Sequence, residues 1–272
     1  TSDDIIDYTV NPLQFITFCC EHENIGPFIP RILASQFLQV VMTKYQSAVD
    51  PLPLIIHQED PNPEDQLSLL DFEARLYLLE RYTKHAELPP DIFENYFNLL
   101  TQEQPLYIVS ALLRLITVPM SSGDNSVVAI SVAEHFIINS IDPIVQTMAV
   151  RLMNSCFNNF EDDKLEALNG VVEINTADLF PVLLNLSNTL HIPEPVILIQ
   201  KIFKIGPSDY ISIVEELVQH LFALWRENEA SINEVNEDDE SESICDANQL
   251  LVSSSLMESL TTVLESLPRD SP

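Results

Sequence analysis

The sequence predicts an all-α protein in which antiparallel helix pairs stack one on the next. Three observations lead there. Apolar residues recur at the three- and four-residue spacing of an amphipathic helix along nearly the whole chain. The breaks between these segments fall on Pro, Gly or Asp at short intervals, as expected for helices joined by tight turns. Strand signals are missing, since no stretch combines period-two alternation with an Asn-Gly or Asp-Gly turn, and 4 glycines in 272 residues are too few for a loop-rich β fold.

The segments follow in order. After Pro12, LQFITFCCEHE reads as a helix closed by Asn24, Gly26 and Pro27, and PRILASQFLQVVMTKY (30–45) as a second. DPLPLIIHQ is a short third. The acids of DPNPED (60–65) suit the cap of the next helix, SLLDFEARLYLLERYTKH, because a side-chain oxygen there accepts from first-turn N–H groups that have no helical partner. PPDIFENYFNLL, PLYIVSALLRLI, NSVVAISVAEHFIINS and DPIVQTMAVRLMNSCF come next. DLFPVLLNLSNTL, PEPVILIQKIFKI, PSDYISIVEELVQHLFALW and NQLLVSSSLMESLTTVLESL complete the series. Proline at their starts is tolerated because the first-turn N–H is unpaired in any helix.

These starts are periodic. Asp50-Pro51, Pro89-Pro90, Asp142-Pro143 and Pro193-Glu194-Pro195 lie roughly 40 to 50 residues apart, the repeat length of two-helix HEAT and armadillo units. In such arrays a pair cannot bury its own apolar face, and stacking makes one continuous core. DPIVQTMAVRLMNSCF resembles the second helix of a HEAT repeat: Asp142 and Pro143 open it, Val145, Met148, Ala149, Leu152 and Met153 form its buried face, and Arg151 points away. The expected architecture is a HEAT-repeat, armadillo-like α-solenoid running as one continuous segment over 1–272, cut from a longer solenoid. An acidic loop at 229–246, expected to be disordered when free, interrupts it.

Charge narrows the function classes. Against 12 Lys and Arg stand 42 Asp and Glu, a formal net charge of −30. Such a surface repels phosphate backbones and anionic lipid and attracts basic proteins or cations, so neither direct nucleic-acid nor membrane binding is expected. No apolar run approaches the roughly 20 residues of a membrane span. With 46% hydrophobic residues and a mean hydropathy of +0.10, the chain has enough apolar surface for a large core. Cys19, Cys20, Cys156 and Cys245 form no CxxC pair and read as reduced thiols.

Few residues suggest chemistry. Cys19 and His22 share a helical face beside Cys20, but two or three soft ligands without a fourth are better read as core, and no metal is expected. The histidines at 22, 57, 85, 135, 191 and 220 are dispersed without an HExxH, and glycines only at 26, 123, 170 and 206 leave no phosphate-binding loop. The chain is therefore expected not to be an enzyme and to need no cofactor. Aromatic residues at helical spacing, such as Phe93, Tyr96 and Phe97, read as packing. Trp225, the single tryptophan, is a candidate exposed anchor for a partner because it adjoins the acidic stretch. That stretch holds Glu234, Glu237, Asp238, Asp239, Glu240 and Glu242 with no Lys or Arg among them. A solvated insertion is its plain reading; its place in a stacked array makes it a candidate binding element.

The order of these segments resembles the importin-β (karyopherin-β) superfamily, and within it the importin seven and eight branch. NPLQFITFCCEHENIGPFIPRILASQFLQVVMTKY is similar to that branch's Asp-Pro-x-x-Tyr-Ile segment, with Asn11-Pro12 in place of Asp-Pro and Phe15 as the aromatic. LLDFEARLYLLERY, PLYIVSALLRLI and DPIVQTMAVRLM stand where successive repeat helices fall. EPVILIQKIFKIGPSDYISIVEELVQHLFALW, the acidic stretch and a helix ending TTVLESL repeat the family's order of helix, long helix, acidic insertion and helix. The resemblance implies a nuclear transport receptor shuttling between cytoplasm and nucleus through the nuclear pore. Its partners would be basic cargo of ribosomal-protein or histone type, the small GTPase Ran, and phenylalanine-glycine nucleoporins. An export receptor of the importin-α recycling type shares the architecture, and a general HEAT scaffold such as a phosphatase regulatory subunit or coat adaptor is the alternative outside the family.

Overall fold

The computed structural model describes residues 39–45, 61–62, 64–83, 90–117, 126–158, 173–190, 192–205, 214, 217–226 and 244–266. Among them every regular element is helical and no strand occurs. The chain divides into two compact units, Thr1–Pro119 and Met120–Pro272. No helix among the described residues is long and apolar enough to cross a membrane.

The first unit is built on α1 (Gln66–Tyr82), α2 (Pro90–Leu99) and α3 (Leu106–Thr117). Asp65 caps α1, its carboxylate accepting from the Leu67 N–H at 3.0 Å. Thr83 closes the other end by donating its N–H to the Leu79 carbonyl and its hydroxyl to that of Glu80. Both α1 and α2 pack on α3. Phe72, Leu76 and Leu79 of α1 are buried with Ile108, Leu112 and Leu113 of α3, and Tyr96 of α2 lies against Phe72 with ring centroids 6.2 Å apart. Burial extends round α1 to Ala74 and Leu78, and it takes in Glu73, Arg75 and Glu80 as well. A surface helix would bury one stripe; α1 is a central helix.

The second unit contains α4 (Ser126–Asn139), α5 (Pro143–Asn158), α6 (Thr176–Leu190), α7 (Glu194–Ile205), a helical stretch at 217–226, and α8 (Ile244–Ser266). Three residues separate α4 from α5, and polar side chains lock this hairpin. Asp142 caps α5 by accepting from the N–H groups of Ile144 and Val145, with Pro143 in the first position, where no donor is needed. Gln146 donates its amide back to the carbonyls of Ile137 and Ser140, two acceptors that the end of α4 would otherwise leave open. Along α5, Val145, Ala149, Leu152 and Met153 are buried and Arg151 is exposed, as the periodicity requires; Met148 is half-buried.

Helix α4 touches α5 and α6, α5 touches α7, α6 touches α7, and α7 touches α8. The core between them is aliphatic: Ile130, Ala133 and Ile137 from α4, Leu152 and Cys156 from α5, Leu183 from α6, and Ile199 and Ile202 from α7 are fully buried. Phe180 of α6 stacks on Phe203 of α7 at 5.6 Å. Two polar ties join α7 to α8, with Ser259 donating to the Val196 carbonyl and the Gln200 amide bonded to the Thr262 hydroxyl. Helix α8 begins at Ile244, ahead of the start expected near Asn248, so residues 244–246 of the expected acidic loop are helical.

Asn175 caps α6, accepting from the Asp178 N–H while its own amide donates to the Asp178 carboxylate. The Asn175 backbone N–H is taken by Glu134 of α4 at 2.6 Å, so the neighbouring helix completes the cap. A helix opening at Asp178 would hold Pro181 among the first-turn positions that need no N–H. With the cap at Asn175, Pro181 lies deeper, and the Ala177 carbonyl loses the donor it would ordinarily meet four residues on.

Candidate functional site

Three basic side chains, Arg114, Arg151 and Lys201, tie one helix to another. In the first unit, the Glu80 carboxylate of α1 faces Arg114 Nε of α3 at 3.3 Å, with Arg81 Nη2 at 3.9 Å. The Arg114 approach is an ion contact without the alignment of a hydrogen bond. Arg114 also lies over the Tyr77 ring and Arg75 over that of Phe72, at 5.0 and 5.1 Å from the centroids. In the second unit, Arg151 of α5 pairs with Glu194 of α7 at 3.0 Å, and Asn154 donates to the Glu194 carbonyl at 2.9 Å. Lys201 of α7 returns two hydrogen bonds to α5, to the Asn154 carbonyl and to Asn158 Oδ1.

Arg114, Arg151 and Lys201 thus reach partners on another helix, whereas Arg75, Arg81 and Arg226, which lies over the Phe222 ring, meet neighbours on their own helix. Acids and bases occur in both settings: Glu64, Asp71, Glu94, Glu103, Glu173 and Glu258 are exposed, as are Lys44, Lys204 and Arg226, while Glu73, Arg75 and Glu80 are buried. The excess of 42 acids over 12 bases in the whole chain, and not these contacts, gives the protein its negative character.

The residues expected to bind partners divide between described and undescribed parts of the chain. Glu234, Glu237, Asp238, Asp239, Glu240 and Glu242 lie outside the described residues, as do Cys19, Cys20 and His22. Trp225 is described and half-buried, its ring 5.6 Å from that of Phe222. Phe222 is the more open ring, 45% exposed beneath the Arg226 guanidinium. The aromatic feature here is thus a group of three side chains.

On the other side of the same helical stretch lies a groove of about 490 Å³, closed by α6. Positions 217, 220 and 224 face it; at about 100° per residue they point well away from 222, 225 and 226. The buried side chains Phe180, Leu184 and Leu217 form its floor. Ala177, Pro181, Asn185 and Asn188 line it along α6, opposite His220 and Leu224. Among the described residues that line it there is no acid, lysine or arginine. The polar side chains among its described lining residues are the amides of Asn185 and Asn188, the buried Thr176 and His220. Sequence periodicity missed the groove because Phe180 and Leu184 read as ordinary core. The available signal was a proline one turn into α6 followed by Asn185 and Asn188 on the same face.

Burial sets the character of the titratable groups. Cys156 is fully buried and its thiol is pushed up to about 12, so it keeps its proton and packs as a small apolar side chain. Burial also raises Glu134, with the Asn175 N–H acting in the opposite direction. Among the described residues no three His, Cys, Asp or Glu side chains gather in a way that could hold a metal ion.

Fold and sites together define an all-α protein of packed helix hairpins with a strongly acidic balance. No protein-family model matches the chain, and neither a curated protein nor a solved structure is similar to it at a significant level.

Proposed function

We propose that the chain is a segment of an α-solenoid receptor that binds basic proteins through an acidic surface, in the manner of a nuclear import receptor of the importin-β type. The solenoid reading is supported by the order of contacts in the second unit, where α4 adjoins α6 while α5 adjoins α7. A stack of helix pairs requires that arrangement, each pair touching its neighbours. The single observation that carries the choice of partner is the charge: 42 acids against 12 bases. The resulting field speeds encounter with Lys- and Arg-rich cargo and disfavours acidic partners. Glu234 to Glu242 form the densest part of that charge and are assigned to cargo or Ran. Release by Ran-GTP then requires Ran and cargo to favour different states of the receptor, a coupling that is necessarily reciprocal.

The test is binding of a histone or basic ribosomal protein across a salt series, with and without Ran-GTP. The reading expects tight binding at low salt, a steep loss as salt screens the surface, and weakening when Glu237, Asp238, Asp239 and Glu240 are all changed to Ser. Binding of basic proteins with indifference to Ran-GTP would favour a general scaffold. Tighter cargo binding in the presence of Ran-GTP would indicate an export receptor. No affinity for any basic protein would overturn the proposal.

A further inference from the structure

We infer that the groove between α6 and residues 217–226 seats an apolar side chain of a cationic partner peptide. The inference rests on the basic-partner reading and adds to it a defined seat and an apolar requirement. Phe180, Leu184 and Leu217 make the floor apolar, so an aliphatic or aromatic side chain gains by leaving water there. The exposed amides of Asn185 and Asn188 offer acceptors on the wall. They suit the N–H groups of a peptide or a lysine ammonium.

Charge selects among apolar occupants. The described lining residues include no lysine or arginine to receive a carboxylate or phosphate, Asp178 stands exposed beside Ala177, and the chain as a whole carries −30. An anionic ligand would approach against that field, whereas a peptide flanking its apolar residue with lysines approaches with it. Recognition would then have two parts, a long-range attraction that is insensitive to sequence and a short-range fit that demands a large apolar side chain.

The experiment measures fluorescence anisotropy of labelled peptides of equal length with the full 272-residue chain. One peptide is Lys-rich with two leucines a helical turn apart, a second has both leucines replaced by serine, and a third keeps the leucines in a Glu-rich background. The leucine–lysine peptide is expected to bind about tenfold or more tightly than the serine–lysine peptide, the effect of burying a leucine side chain. Ala177→Trp and Asn188→Trp, at exposed positions toward opposite ends of the α6 wall, fill the groove. Each is expected to lower leucine–lysine binding to the serine–lysine level and leave serine–lysine binding unchanged. Two variants at separate sites keep the test decisive if one fails to fold by circular dichroism. Equal binding of the two Lys-rich peptides, both salt-sensitive, would overturn the groove and spare the acidic-surface reading. Failure of every Lys-rich peptide to bind would overturn both. Binding of the Glu-rich peptide as tight as that of its Lys-rich counterpart would overturn the requirement for a cation, and undiminished binding by the folded tryptophan variants would move the site elsewhere.

Discussion

Replacing Arg114 by Ala tests whether the basic residues act as internal ties. The Glu80 side chain is 11% exposed and that of Arg114 24%, so neither charge is fully hydrated. Removing one partner of a well-buried pair costs about 3–5 kcal/mol, because the other charge is left where water cannot reach it. Two features of the site moderate this: Arg114 is partly open, and Arg81 remains 3.9 Å from the Glu80 carboxylate. Loss of the Arg114 contact over Tyr77 adds about 0.5–1 kcal/mol. The expected net cost is about 2–3 kcal/mol. Urea unfolding followed by circular dichroism gives the value, and hydrogen exchange resolved to α1 and α3 peptides shows where it acts. The double change Glu80→Met with Arg114→Met should recover most of the loss, since an apolar pair replaces the ion contact without orphaning a charge. A cost for Arg114→Ala below about 0.5 kcal/mol would class the pair with ordinary surface ion pairs and refute the reasoning.

Other expected outcomes follow from single contacts. Asp142→Ala removes the acceptor for the Ile144 and Val145 N–H groups and should destabilise by about 1 kcal/mol, measured by denaturant midpoint, while Asp142→Asn should lose far less. Glu134→Gln keeps an oxygen for the Asn175 N–H and removes a carboxylate whose pKa the fold raises. A raised acid contributes its stability fully below the unfolded value and loses it as pH rises through the folded one. The variant should therefore gain on the wild type at neutral pH, and that gain should vanish below the usual value of 4.5, as a pH series of melting temperatures would show. Cys156 should resist a thiol reagent at neutral pH until the protein is unfolded in urea, since the thiol is both buried and protonated. Phe157→Ala should cost about 3–5 kcal/mol by chemical denaturation, because this ring is 1% exposed.

Much of the local structure was legible because its causes are local. Asp65 and Asp142 precede apolar runs and do cap α1 and α5, through oxygens that reach N–H groups two and three residues on. Spacing alone placed Val145, Ala149, Leu152 and Met153 on the buried side of α5 and Arg151 off it, while Met148 is only half-buried and burial also takes in Thr147, Val150 and Asn154. The starts of α6 and α8 differ from the expected ones, and for α6 a partner distant in sequence takes part. The start of α6 depends on Asn175, whose backbone N–H is taken by Glu134, 41 residues away. That shift moves Pro181 from the permissive first turn to the interior of the helix. For the same reason the groove was illegible, since it needs α6 and residues 217–226 side by side.

By itself the sequence determined the all-helical class, the positions of the hairpins and the sign of the surface charge, because periodicity, caps and composition act within a few residues or over the whole chain. Tertiary structure alone decided how each charge is used. Glu80, Arg114, Arg151 and Lys201 look in sequence like solvated residues on helix faces, and each instead meets a partner on another helix. A charge becomes a tie or a surface group according to which helix packs beside it, and that depends on long-range packing. It likewise set a groove between α6 and residues 217–226, because one helix turn presents different residues to different neighbours.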